Sequence, residues 1–208
     1  MSLERSIAEG IGAMGLAVDP SAPARLARYL ELIEKWNRVH NLTAVRDTAQ
    51  MVVLHVLDSL SVLPHVEGCM RILDVGTGPG LPGIPLAIVL PRSRVTLLDS
   101  AHKKCAFLEQ ARIDLGLDNV EVMCERIEQW KPAQPFDAVV SRAFSELSDF
   151  VVQAKHAVAP GGRMIAMKGV YPFDEIARVP ATHRVGKVVE LHVPQLDAKR
   201  HLVFVEAA

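Results

Sequence analysis

The segment Ile72–Gly83, reading ILDVGTGPGLPG, constrains this chain more than any other. An apolar strand runs into a turn with glycine at 76, 78, 80 and 83, and a helical stretch follows. Glycines let a ligand approach the backbone closely. In an open α/β sheet, the carboxyl end of the first strand at the switch point is where a nucleotide-like cofactor binds. Function is therefore expected to centre on Gly76, Gly78, Gly80 and Leu81.

The pattern alone leaves two cofactors open. Begun at Gly76, the dinucleotide fingerprint G-x-G-x-x-G would need glycine where Leu81 stands; begun at Gly78, it is satisfied by Gly80 and Gly83. A purely structural turn is a third reading. Asp74, on the apolar strand just before the turn, favours S-adenosylmethionine: a carboxylate there orients the loop or meets a cationic amino-acid moiety, and a phosphate-binding loop gains nothing from another anion. Asp99 ends the next strand, 99 − 76 = 23 residues after Gly76, near the spacing expected of an acid that accepts both ribose hydroxyls. Glu125–Glu128 follow the third strand, where Ile127 and the amides beside it would flank an adenine. No G-x-x-x-x-G-K-[ST] occurs, which excludes a P-loop.

The surroundings of this segment read as α/β. After Gly68, β-branched runs alternate with helical stretches, the pattern of a parallel sheet covered by helices. Strands are expected at Arg71–Val75, Arg94–Asp99, Val120–Cys124, Ala138–Ser141, Arg163–Lys168, Lys187–Val193 and His201–Glu206. Only the loop Pro194–Ala198 separates the last two, so they are expected to pair as an antiparallel hairpin. That ending suits a methyltransferase-type sheet better than a dehydrogenase, which would continue with further strand–helix units. Before Gly68 the chain reads as helical. Leu26, Tyr29, Leu30, Ile33 and Trp36 recur on one face, and a third helix is expected to start at Asp47 and stop at Pro64. Residues 1–67 are thus expected to form a helical extension on a core of 68–208.

Of 208 residues, 50% are hydrophobic, which supplies a sizeable core, and the net charge of −1 means that any RNA contact must come from a local patch. Candidates for such a rim are Lys103, Lys104, Lys168 and Arg200, with His102, Arg112, Lys199 and His201 near the same strand ends. Cys69, Cys105 and Cys124 form no C-x-x-C pair, so reduced thiols are expected, with neither zinc site nor disulfide. The N-terminal MSLERSIAEGIGAM carries charges among its apolar residues, and the longest apolar stretches, such as Ile84–Leu90, fall short of the roughly 20 residues of a membrane span. A soluble cytoplasmic monomer without metal is expected.

Several separated motifs resemble one family in the same order. LDVGTGPGLPGIPLA, LLDS before a Lys-rich helix start and SRAF are similar to the bacterial small-subunit ribosomal RNA methyltransferase G family, also called glucose-inhibited division protein B. Lys35–Asn37, Asn41–Thr43, His55–Ser59, Met167–Gly169 and Arg200–Val203 extend the likeness over most of the chain. The resemblance implies a class I S-adenosylmethionine-dependent methyltransferase, α/β and Rossmann-like, with a mostly parallel seven-stranded sheet. It implies methyl transfer to N7 of a guanosine in 16S rRNA, with the rRNA or the small ribosomal subunit particle as partner. Cofactor contacts carried over by position fall at Gly76, Leu81, Ile127, Glu128 and Arg142.

The remaining signatures agree with an N7 acceptor, which has a lone pair and no proton to lose. The [DNS]-P-P-[YFW] turn common in amino-group methylation is replaced by Ser141-Arg142-Ala143-Phe144, and no cysteine sits on a plausible catalytic turn for pyrimidine C5 chemistry. Arg142 is the candidate catalytic residue, where cofactor and target meet; its donors can hold guanine O6, a phosphate or the cofactor. Phe144 is expected either to stack on the base or to fill the core.

Overall fold

The computed structural model describes residues 2–142, 144 and 146–208. Seven strands, β1 (Arg71–Val75), β2 (Arg94–Leu98), β3 (Val120–Met123), β4 (Phe136–Ser141), β5 (Val158–Lys168), β6 (His183–Leu191) and β7 (Arg200–Ala207), form one sheet in the order β3-β2-β1-β4-β5-β7-β6. The first five are mutually parallel, whereas β7 enters antiparallel between β5 and β6. The expected hairpin is therefore present. Strands β5 and β6 begin five and four residues earlier than their apolar runs, because Pro160-Gly161-Gly162 and Gly186 hide the alternation.

Burial on both faces accounts for the near-continuous apolar strands. Along β1, side chains alternate: Ile72 belongs to the core on one face, and Leu73 and Val75 belong to the core on the other. The first core is covered by α1 (Leu3–Ala13), α2 (Ala22–His40), α6 (Gly83–Val89) and α7 (His102–Asp114); the second by α8 (Leu147–Ala154). The N-terminal helices are thus continuous with the sheet's own core, and the buried Tyr29 hydroxyl donates to the carbonyl of Pro79 in the glycine turn at 2.7 Å.

The third helical region corrects two expectations. Asp47 does cap it, accepting from the Gln50 amide at 2.8 Å. Yet α3 (Thr48–Met51) passes into a π-helical turn at Val52–Leu57 and then α4 (Asp58–Leu60), ending before Pro64, which instead opens the short α5 (Leu63–Val66). Proline suits a first helical turn because its missing N–H would have had no partner there. The span Thr48–Val66 is also 19 residues long with mean hydropathy 1.3, longer than the apolar stretches considered from the sequence. It is mostly buried among the protein's own side chains, as a core helix is.

The expectation of separate thiols is also corrected. Cys105 on α7 and Cys124 just after β3 are joined as a disulfide, with Cα atoms 5.8 Å apart, while Cys69 is free and buried. Their 19-residue separation conceals the contact, which arises because α7 packs beside the β2–β3 pair.

Candidate active site: two cavities flanking the end of β4

The residues singled out from the sequence fall into three places. Gly76, Asp99, Ile127 and Glu128 line one cavity of about 280 Å³ at the carboxyl ends of β1, β2 and β3, together with Ser100, Lys104, Glu125, Arg126, Phe144 and Gln153. Arg142, Lys168 and Arg200 line a second cavity of about 370 Å³ with Val45, Leu54, His55, Asp58, Met167 and Gly169. Gly78, Gly80, Leu81 and Asp74 line neither and build the turn itself. Arg142 and Phe144, two residues apart after β4, each face a different cavity; Ala143 of the SRAF motif lies outside the described residues.

The turn is organised by two buried carboxylates. Asp74, wholly buried, faces the α6 side of β1, where its Oδ2 accepts from the Thr77 hydroxyl and from the Gly83 amide at 2.8 Å. This is the loop-orienting role expected of it. Burial pushes its carboxyl up to about 6, against those two bonds and the Arg142 charge, which hold it down. Its Oδ1 is buried without a hydrogen-bond partner among the described residues. Asp99, 5% exposed, accepts from the Gly78 amide at 2.9 Å and the Lys104 ammonium at 3.2 Å on Oδ2, and from the Ala101 amide at 2.9 Å on Oδ1. A carboxylate offers about four lone-pair sites, so Asp99 can steady the turn and still present an oxygen to the cavity.

Gly80 and Leu81 act through packing. A Cβ on Gly80 would lie 2.5 Å from Ile84, at a φ of +99° that only glycine adopts readily, and Leu81 is 2% exposed.

The second cavity is built around an acid. Asp58, 3% exposed at its side chain, accepts from Arg142 Nη1 at 3.2 Å on Oδ2 and from Arg200 Nε at 2.9 Å on Oδ1. Arg142 also donates to the Leu54 carbonyl at 3.0 Å, an acceptor presented by the π-helical turn. Lys168 donates to Glu175 at 2.7 Å and to the Phe144 carbonyl at 3.1 Å. His55 is buried, bonded through Nε2 to Thr43 Oγ1 at 3.1 Å; burial first and the Arg142 charge second push its imidazole down to about 4, so it is neutral at physiological pH.

The expected basic rim is thus largely engaged within the protein: Lys104 pairs with Asp99, Lys168 with Glu175 and Arg200 with Asp58, while Lys103 stays exposed. Phe144 packs its ring on Phe150 at 5.3 Å in the wall of the first cavity, away from the second. Asp58 and His55 both fall in the His55–Ser59 motif of the family likeness, where His55 reads as a packing or capping residue and Asp58 carries no evident role. The signal was present, since an acid within the apolar run MVVLHVLDSLSV requires a buried partner.

Residues 23–203 match the family model GidB, described as rRNA small subunit methyltransferase G. The chain belongs to that family. A "Ribosomal RNA small subunit methyltransferase G" from Nitrosospira multiformis is 54% identical, covering 100% of this chain and 99% of that protein, and one from Laribacter hongkongensis is 53% identical over 98% of each. Among solved structures, an O-methyltransferase from Bacillus cereus in complex with SAH superposes with a TM-score of 0.64 at 18% identity, covering 99% of this chain and 100% of that one. The O-methyltransferase TomG from Streptomyces achromogenes, in complex with SAM, gives 0.62 at 16% identity, covering 100% and 99%. At such identities the likeness concerns the fold, which is that of the class I, Rossmann-like methyltransferases. The GidB match spans both cavities, from Val45 to Arg200.

Proposed function

We propose that this chain transfers a methyl group from S-adenosylmethionine to N7 of a guanosine in 16S rRNA, acting on the rRNA or on a small ribosomal subunit particle in the bacterial cytoplasm. The observation that carries this reading is the pairing of the two cavities across the end of β4, one lined by Gly76 and Asp99, the other by cations of which Arg142 and Arg200 are tied to Asp58. Residues 1–67 act as a helical cap on the methyltransferase core of 68–208.

The first cavity suits the cofactor by the chemistry of its donors and acceptors. Asp99 faces the ribose hydroxyls, Ile127 and Glu128 flank the adenine, and the turn from Gly76 brings backbone close to the amino-acid part. The unpartnered Oδ1 of Asp74 leaves an acceptor for an ammonium group beneath that turn. When bound, S-adenosylmethionine supplies an electrophilic methyl whose leaving group departs neutral. The protein's share is then alignment and exclusion of water, with no proton to remove from N7.

In the second cavity Asp58 neutralises one of two guanidinium charges and fixes the direction of both. Arg142 and Arg200 are thereby preorganised to hold guanine O6 or a phosphate while N7 stays free. His55, being neutral, adds no repulsion toward a base. The test is tritium transfer from labelled S-adenosylmethionine to ribosomal particles lacking the modification, repeated with 7-deazaguanosine at the target position. Carbon replaces the acceptor nitrogen while the Watson–Crick edge is kept, so binding should persist and transfer should stop. A labelled product from the deaza substrate would refute the N7 assignment.

A further inference from the structure

The rim of the second cavity carries a patch that none of the roles above employs. Val170, Tyr171 and Phe173 are 76%, 40% and 74% exposed, whereas Val39, Met70, Ile113 and Val152, also exposed, stand singly along the chain. All three patch residues lie on or beside the segment that joins β5 to α9 (Phe173–Ala177), immediately after Lys168 and Gly169 of the cavity lining. The rings of Tyr171 and Phe173 lie 4.2 Å apart between centroids, and Tyr171 meets the His201 ring edge-on at 5.7 Å.

The backbone beneath these rings is anchored at several points. His201 is 4% exposed and its Nδ1 lies 3.3 Å from the Gly169 carbonyl. Glu175, in the first turn of α9, accepts from Lys168 Nζ at 2.7 Å and from the Leu147 amide at 2.9 Å, and the Phe173 amide bonds to the Tyr171 carbonyl at 3.1 Å. Two aromatic side chains are therefore presented to solvent from a braced segment. Exposed apolar surface gathered in this way marks a contact site.

The charge beside the patch selects the partner. The adjoining cavity brings Arg142, Lys168 and Arg200 together against the carboxylates of Asp58 and Glu175, three cations to two anions, with the exposed Asp174 a further acid beside Phe173, in a chain whose total is −1. Flat π-faces next to fixed cations match single-stranded RNA, whose unstacked bases lie on aromatic rings while phosphates meet basic groups. A neutral apolar protein surface would leave unused the cations of the cavity that Lys168 and Gly169 line just before the patch.

We propose that Tyr171 and Phe173 form a stacking platform for an unpaired base neighbouring the target guanosine, so that the RNA strand is held at the rim while the guanosine enters the second cavity. This rests on the function proposed above and adds how its RNA is gripped. Stacking on one aromatic ring is worth enough to change affinity by about tenfold.

The experiment uses the full chain and a 16S rRNA fragment in which each nucleotide flanking the target is replaced in turn by fluorescent 2-aminopurine. Parent protein should quench the fluorescence at one or more of these positions on binding. A double variant, Tyr171→Leu with Phe173→Leu, keeps apolar bulk and removes both π-faces. It should lose the quench and raise KM for the RNA about tenfold or more, with kcat at saturating RNA and cofactor affinity within twofold of the parent. Tyr171→Phe with Phe173→Trp should restore both readouts. Unchanged quenching and KM in the leucine variant would overturn the platform while leaving the methyltransferase reading intact. Weakening by alanine but not by leucine at both sites would do the same, by revealing plain apolar contact. A parent protein that neither binds nor methylates the RNA, as the fragment or within a small ribosomal subunit particle lacking the modification, would overturn both.

Discussion

Asp74 shows how one buried residue links stability to the proposed cofactor site. Its carboxyl is raised by burial to about 6 in the folded chain from an ordinary value near 3.8, so the folded state binds this proton more tightly than the unfolded chain. The resulting stabilisation is complete below about 3.8 and is lost as pH rises through about 6. In Asp74→Asn, the amide oxygen can still accept from Thr77 and Gly83, but the side chain no longer titrates. Urea midpoints of parent and variant should therefore diverge between pH 4 and 7, the parent losing stability relative to the variant. Parallel profiles would contradict the assignment. Cofactor affinity should respond in the opposite sense, rising with pH through about 6 in the parent and staying flat and weaker in the variant, because an ammonium prefers the ionised acid. Asp74 was legible from the sequence as an orienting acid. The lack of a donor to its Oδ1 among the described residues was not, since that depends on which donors α6 brings near.

At the scale of elements, the unit β1–turn–α6 explains why its fourth glycine matters. A Cβ on Gly83 would collide with the Leu97 side chain on β2 and lie 2.8 Å from Asp74 Oδ2. The absence of a side chain lets α6 sit against the sheet with its first amide on the carboxylate. Gly83→Ala should cost about 1–3 kcal/mol of stability by overpacking, read as a lower denaturant midpoint, and should weaken cofactor binding by displacing the turn. An alanine variant with the parent's midpoint would show that Leu97 yields without cost. Glycine spacing alone leaves dinucleotide and S-adenosylmethionine loops unresolved, because both folds need this close strand–helix approach. The π-helical turn at Val52–Leu57 was invisible in the sequence: nothing in VVLHVL distinguishes it from an α-helix, and its bond to Arg142 comes from a strand end 88 residues away.

For the whole molecule, Asp58 joins the parts. Its two ion pairs span 84 and 142 residues of chain, tying the helical region before the sheet to the end of β4 and the start of β7. Asp58→Asn should leave two partly buried guanidinium groups without their counter-charge and cost about 1.5–3 kcal/mol, measured by chemical denaturation. It should also lower rRNA methylation far more than cofactor affinity, since the first cavity does not include Asp58. Equal losses in both would mean that the two cavities are not independent.

The order of elements, the parallel core with its terminal hairpin and the glycine turn were determined by the sequence alone, because apolar periodicity and glycine placement are local properties that survive without knowledge of partners. Which side chains share a cavity was decided only by the tertiary structure. Lys168 and Arg200 read as cations of a surface rim and Arg142 as a cation at the reaction centre, and each turns out to be bound to an acid or carbonyl from another element. Cys105 and Cys124 look unrelated and meet because α7 lies beside β3. A buried charge declares in sequence that it needs a partner, but the low-dielectric interior supplies that partner through packing, and packing is set by contacts between residues distant in the chain.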